Sequence, residues 1–196
     1  MTKWTYQYRA FVGQEPTSLV DALDKEKDFS KSRKSTIDTY VVGPSQVSAR
    51  VRDGQLKMRG PTGSVDALVF ELTDERYSFP VASETIAKAI GVKPDFTSKH
   101  LKTVGDLERW AEKKGAIVAE VKKQTKKYET PTCEVEVTEV DIEGKNLYTV
   151  AVASNDVGKI HSTLNTYGIP QIPRSRIMDY AEAIRQTVKD RQLSKA

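Results

Sequence analysis

Arginine and lysine recur at every second position in several short segments of this chain, and this spacing is suited to binding an anion. Side chains two residues apart in an extended strand point to the same side, so neighbouring strands can direct their bases at one ligand. A guanidinium group binds phosphate through two parallel hydrogen bonds, and lysine adds a compact positive charge. The candidate ligand-binding residues are Arg9, Arg50, Arg52, Lys57, Arg59, Lys122 and Lys126.

Acidic residues share the polar sides of the same segments. Asp38, Glu71, Glu134 and Glu136 have the spacing that would place them among the bases. Carboxylates in such a position can balance the bases or hold a hard divalent cation. The polar sides therefore suit a multiply charged anion, with some of the acids left to hold a metal.

Alternating polar and apolar residues predict eight strands around these positions. In each strand the candidate residues lie on the polar side and the opposite side is apolar. Asp53-Gly54 is a strong signal for a two-residue hairpin between two of the strands. The predicted strands fall within residues 3–12, 35–42, 46–52, 55–59, 67–72, 116–129, 132–142 and 146–154.

Two architectures are compatible with this shared polarity. An antiparallel sheet can pack its apolar face on helices and leave its polar face in water, which requires no ligand. Alternatively, the eight strands close into a barrel with an apolar exterior covered by helices and a polar, hydrated interior. Closure would also remove two exposed sheet edges.

Helix signals interrupt and follow the strands. Residues 83–90 form a helical pattern that ends at Gly91, and Thr103 caps a second helix that ends at Gly115. Asn155-Asp156 begin another helix, and an amphipathic segment closes the chain. We therefore expect a single domain over residues 1–196, with a helical insertion at about 83–115 and C-terminal helices at about 156–193.

Composition limits the protein class. The formal net charge of +4 is too small to identify nucleic acid as the partner. The single cysteine, Cys133, excludes an internal disulfide framework, and no apolar run approaches the ~18 residues of a membrane span. We expect a soluble, cytoplasmic protein with no membrane partner.

The order and spacing of these segments resemble the CYTH family, the triphosphate tunnel metalloenzymes. The resemblance is carried by "TYQYRAF", by "TYVV" followed by "VSARVRDGQLKMR", by "VKKQTKKYE" before "EVEVTEV", and by "GKNLYTVAVAS" before a helix. It implies an α+β fold built on an eight-stranded antiparallel barrel wrapped by helices. It also implies that inward Arg and Lys bind a triphosphate, while inward Glu residues hold Mg²⁺ or Mn²⁺.

The chain departs from the family at both acidic motifs. Where the family has E-x-E-x-K near its N-terminus, this chain has Thr5, Gln7 and Arg9, and where it has E-x-E on the last strand, this chain has Thr149 and Ala151. Neutral oxygens are poor substitutes for carboxylates at a divalent cation. A displaced site would use Glu134, Glu136 and Glu71 as metal ligands, with Glu134 and Glu136 as the catalytic residues.

The sequence therefore favours a CYTH-like tunnel protein that binds a triphosphate, polyphosphate or nucleotide and has a degenerate metal site. Its partner would be a phosphate-rich small molecule, a nucleotide or an RNA 5′ triphosphate. One alternative is a divalent-metal-dependent enzyme with a displaced Mg²⁺ or Mn²⁺ site, either a triphosphate phosphohydrolase, in which water assisted by the metal attacks the terminal phosphate, or a nucleotidyl cyclase. A second alternative is an interaction domain that binds no ligand.

Overall fold

The structure is a computed structural model that describes residues 4–66, 68–94, 100–169 and 176–193. Over these residues it contains eleven strands and five α-helices. The strands are β1 (Tyr6–Val12), β2 (Ser30–Val42), β3 (Ser48–Arg52), β4 (Gln55–Ser64), β5 (Phe70–Tyr77), β6 (Val81–Ala82), β7 (His100–Leu101), β8 (Ile117–Glu129), β9 (Glu134–Ile142), β10 (Lys145–Ser154) and β11 (Arg176–Ile177). The helices are α1 (Thr17–Lys25), α2 (Ser83–Ile90), α3 (Val104–Lys113), α4 (Val157–Thr166) and α5 (Tyr180–Leu193).

Nine of the described strands form one hydrogen-bonded sheet in the order β10-β9-β8-β2-β3-β4-β5-β1-β11. β1 also pairs with β10 over its full length, from Tyr6 opposite Ser154 to Val12 opposite Tyr148. The order of paired strands therefore returns to its start after eight strands. The predicted fold class, an α+β protein built on an eight-stranded antiparallel barrel, is confirmed.

Three of the predicted helices have a boundary at the residue that signalled it. Thr103 accepts a hydrogen bond from the backbone of Asp106, whose side chain accepts one in return, and this capping box starts α3. The carboxylate of Asp156 caps α4 in the same position. Gly91 ends α2 with a φ of 77°, in the left-handed region that glycine tolerates. Among the described residues, none of the helices is long and apolar enough to cross a membrane.

Several element boundaries differ from the sequence prediction. Helix α1 was not predicted, and β2 begins five residues earlier than expected. Strand β4 continues five residues beyond the predicted end at residue 59, so Gly60 and Pro61 lie within it. A Cβ on Gly60 would lie 2.6 Å from the carbonyl oxygen of Gln46, so glycine here allows close backbone approach. Pro170 and Pro173, a residue type that interrupts helices, lie outside the described residues.

Internal contacts divide the chain into two compact units. The first comprises Met1–Thr36, Thr62–Leu72 and Lys122–Met178, and the second comprises Ile37–Pro61, Thr73–Val121 and Asp179–Ala196. In the first unit, strand residues such as Tyr8, Val135 and Val152 pack against Leu23 of α1 and Ile160 of α4.

The core of the second unit lies between its strands and helices α2 and α3. Strand residues Val41, Leu56 and Met58 pack with Ile86 and Trp110. Burying a side chain of this size contributes about 1.5 to 3 kcal/mol to stability. The apolar sides of these strands are therefore fixed on the helices, which determines where their polar sides point.

Candidate functional site

The β3–β4 hairpin places four of the predicted bases on one side of the second unit. Its turn consists of Asp53 and Gly54, with φ of 49° and 73°, as a type I′ turn requires. Arg50 lies opposite Lys57, and Ser48 lies opposite Arg59. Side chains of directly opposed residues project from the same face of a sheet. These pairings place four bases on one face of the hairpin, in the grouping that the sequence predicted: Arg50, Arg52, Lys57 and Arg59.

Strand β2 adds an acidic residue to this face. Tyr40 lies opposite Arg50 in the β2–β3 pairing, and Asp38 is two residues before Tyr40 on the same side. The Asp38 side chain is 0% exposed. Arg52 donates from Nε to Oδ1 at 2.5 Å and from Nη2 to Oδ2 at 2.7 Å, forming a bidentate pair. These hydrogen bonds raise the pKa of Arg52.

Arg50 is held less completely. Its Nη1 lies 4.0 Å from Oδ2 of Asp38, and its side chain is 12% exposed. The Nε atom of Arg50 is buried without a hydrogen-bond partner among the described residues. A buried donor without a partner costs about 1 to 3 kcal/mol, which an anionic acceptor would recover. Among the described residues of β2, β3 and β4, this face brings four bases together with Asp38.

Arg9 belongs to a separate cluster in the first unit. It lies opposite Ala151 of β10, which in turn lies opposite Glu136 of β9. Its Nη1 donates to Oγ1 of Thr149 at 3.2 Å, and its Nη2 lies 3.4 Å from Oε2 of Glu136. Its Nε donates to Oε1 of Gln7 at 3.4 Å. The buried Arg9 guanidinium is therefore held by side chains from three strands.

In the first unit, the bases of β8 lie on the opposite faces from those predicted. Oγ1 of Thr125 lies 3.0 Å from Oγ1 of Thr138, and Nζ of Lys127 lies 2.7 Å from Oε2 of Glu134. Residues 123, 125 and 127 therefore share the face of Glu134 and Glu136, and Lys123 on that face is buried.

The assignment of Lys122 and Lys126 to this face is wrong. Lys122 is exposed, and Lys126 forms an ion pair with Glu15 at 3.5 Å. The prediction failed because residues 122–127 carry bases on both sides of the strand, and its phase was extended from Ile117, Ala119 and Val121. The run of lysines in residues 122–127 was the sequence signal that could have drawn attention to Lys127. Alternation alone, however, does not show which side of the strand shares the face of Glu134 and Glu136.

The face predicted for Glu71 is also wrong. In the β1–β5 pairing, Glu71 lies opposite Tyr6, and Phe70 lies opposite Gln7. Tyr6 packs against the helix-covered core of the first unit, whereas Gln7 lies beside Arg9. Glu71 is therefore exposed on the other side of the sheet from Glu136.

The residues present do not fit a divalent cation. Among the described residues, no group of three or more His, Cys, Asp or Glu could hold a metal ion. Glu136 is paired with Arg9 and Glu134 with Lys127, while Asp38 is paired with Arg52. A hard cation prefers uncompensated anionic oxygens, and each of these carboxylates already has a basic partner.

Comparison with known proteins identifies the fold. No protein-family model matches the sequence, and no curated protein matches it. A candidate adenylyl cyclase from Hippeastrum, whose structure reveals a dominant triphosphatase activity, superimposes with a TM-score of 0.53 at 9% identity, over 93% of this chain and 96% of that one. A conserved hypothetical protein from Pyrococcus furiosus gives 0.52 at 14% identity, over 90% and 98%.

A candidate adenylate cyclase from Bacillus halodurans has a TM-score of 0.50 at 11% identity, with 92% of this chain and 97% of that chain covered. These identities are low, so the likeness concerns the fold. The closed order of strands, the covering helices and these structural neighbours together show that the chain is a divergent protein of the CYTH-like, triphosphate tunnel fold.

Proposed function

We propose that this protein binds a triphosphate, polyphosphate or nucleotide through Arg50, Arg52, Lys57 and Arg59. The observation that carries the proposal is their arrangement on one face of β3 and β4, beside the buried Asp38. Asp38 holds Arg52 in place by a bidentate contact, so this guanidinium is oriented before a ligand arrives. Preorganised donors of this kind lose less conformational entropy on binding.

A chain of phosphates matches this face better than a single anion does. Arg50 and Lys57 are directly opposed, and Arg59 lies two pairs further along the hairpin at the position opposite Ser48. Several separated positive groups can each engage different phosphate oxygens. The CYTH-like fold and the triphosphatase activity of the Hippeastrum protein support the same ligand class.

The contacts of the first unit favour a binding protein over a phosphohydrolase or a cyclase. Hydrolysis assisted by a metal needs carboxylates that hold the ion and so lower the pKa of its water. Glu134 and Glu136, the candidate catalytic residues, are instead paired with Lys127 and Arg9. We therefore assign these two glutamates a structural role, and we assign Arg9 no part in the anion clamp.

Calorimetric titration of the purified chain with tripolyphosphate and with ATP tests the proposal. We expect both to bind and Arg59→Ala to weaken binding by about 1 to 3 kcal/mol, the range for a hydrogen bond to a charged group. Arg109→Ala is the matched control because Arg109 is exposed and contacts Asp106 on α3. Absence of binding by the wild-type chain, or an equal loss in both variants, would refute the proposed site.

An RNA that carries a 5′ triphosphate serves as a third ligand in the same titration. If it binds much more tightly than ATP while a 5′ hydroxyl RNA of the same sequence does not, the ligand is an RNA end. Equal affinity for ATP and tripolyphosphate would show that the phosphate chain alone is recognised.

A further inference from the structure

Glu134 and Glu136 lie on one face of β9, and each has a basic partner from the same unit. Glu136 lies 3.4 Å from Nη2 of Arg9. Glu134 lies 2.7 Å from Nζ of Lys127 and also accepts a hydrogen bond from the indole Nε1 of Trp4 at 3.1 Å. Both glutamates therefore form ion pairs with bases of the protein, whereas a metal site would require their carboxylates to coordinate the ion.

Burial makes these contacts more than a surface arrangement. The side chains of Arg9 and Glu136 are 10% and 28% exposed, and those of Glu134 and Lys127 are 12% and 25% exposed, so both pairs are largely shielded from water. Burial alone would lower the pKa of Lys127, but its hydrogen bonds to Glu134 and Glu129 outweigh this effect and raise the pKa. Lys127 is therefore charged at neutral pH and remains a counter-ion of Glu134.

A divalent cation entering here would have to displace a base from a carboxylate. Removing one partner of a buried ion pair costs several kcal/mol, because the other charge is left uncompensated. In the second unit, Asp38 is likewise occupied by the bidentate contact of Arg52. Among the described candidate acids of either unit, none is placed to hold a metal ion that would also contact a bound phosphate.

We infer that the protein takes its polyphosphate ligand as the metal-free anion, so that Mg²⁺ opposes binding instead of assisting it. This inference rests on the proposed function. Mg²⁺ bound to a polyphosphate occupies oxygens that guanidinium groups would contact and reduces the negative charge of the ligand. The arginines and lysines of this chain would then compete with Mg²⁺ for the same oxygens.

The first test is a titration with ATP in EDTA and again in excess Mg²⁺ at matched ionic strength. If only the free anion binds, the apparent Kd rises in inverse proportion to the fraction of ATP that is free of Mg²⁺, by about tenfold when about one tenth of the ATP is free. Matching the ionic strength with NaCl removes the effect of general screening.

The possible results separate the two proposals. Binding in EDTA that weakens in Mg²⁺ supports the inference. Binding that is unchanged or strengthened by Mg²⁺ overturns the inference but leaves the proposed function in place. No binding under either condition overturns the proposed function.

The second test uses two adjacent lysines that lie on opposite faces of β8. Lys127→Gln removes the basic partner of Glu134, whereas Lys126→Gln removes a base that pairs with Glu15. With Mn²⁺ alone and no nucleotide, we expect a rise in Tm for Lys127→Gln and none for Lys126→Gln or the wild type. An equal rise in the wild type would overturn the inference. If Lys127→Gln fails to fold, the titration of the wild-type protein with ATP in EDTA and in Mg²⁺ still tests the inference.

Discussion

Replacing Arg52 with alanine should destabilise the second unit strongly, because Arg52 is the main partner of a buried carboxylate. Asp38 is 0% exposed and receives two hydrogen bonds from Arg52. Breaking a buried ion pair by removing one partner costs about 3 to 5 kcal/mol. Arg50, with Nη1 at 4.0 Å from Oδ2, would retain part of the compensation. We therefore expect a loss near the lower limit, about 3 kcal/mol.

For a chain of this length, 1 kcal/mol corresponds to about 2 to 4 °C in Tm, so the variant should melt roughly 6 to 12 °C below the wild type. Thermal unfolding followed by circular dichroism measures this change. The double variant Arg52→Ala with Asp38→Asn removes the uncompensated charge and should recover about half of the loss. An unchanged Tm for Arg52→Ala, or a double variant no more stable than the single one, would refute the reasoning.

Two further predictions concern local contacts. Thr103→Ala removes one half of the capping box with Asp106 and should cost about 1 kcal/mol of stability, or roughly 2 to 4 °C in Tm; an unchanged Tm would mean that the cap is dispensable. A backbone amide hydrogen bond lowers the pKa of Asp66, so its stabilising contribution is present above the ordinary pKa of 3.8 and is lost as the pH falls below it. The Tm of Asp66→Asn should therefore fall less than that of the wild type between about pH 5 and pH 3. An equal fall in the two proteins would contradict this.

Where local signals agreed with the fold, the sequence was sufficient. Asp53-Gly54 predicted the hairpin that aligns Arg50 with Lys57, and this turn type depends on two adjacent residues only. The caps of α3 and α4 are similarly local. The apolar sides of β3 and β4 identified the helix-covered face because no charge lies on that side between residues 48 and 59, apart from the turn.

Strand β8 shows why the rest of the site was not predictable. Its residues 122–127 carry bases on both sides, so the pattern has no preferred phase, and only pairing with β9 determines that Lys127 meets Glu134. For Glu71 the difficulty was different. Its strand begins at Phe70, and pairing with β1 places Glu71 opposite Tyr6. The alternation of residue types does not reveal this register.

The pairing of β1 with β10 joins parts of the chain that are far apart in synthesis. Paired residues from Tyr6 and Ser154 to Val12 and Tyr148 are 136 to 148 positions apart. Strand β1 leaves the ribosome well before its partner β10, which is made more than 130 residues later. Contacts of such long range slow folding, since the loop must close before they stabilise anything. The edge of β1 that pairs with β10 is consequently exposed to chaperones or to other nascent chains until β10 has been made.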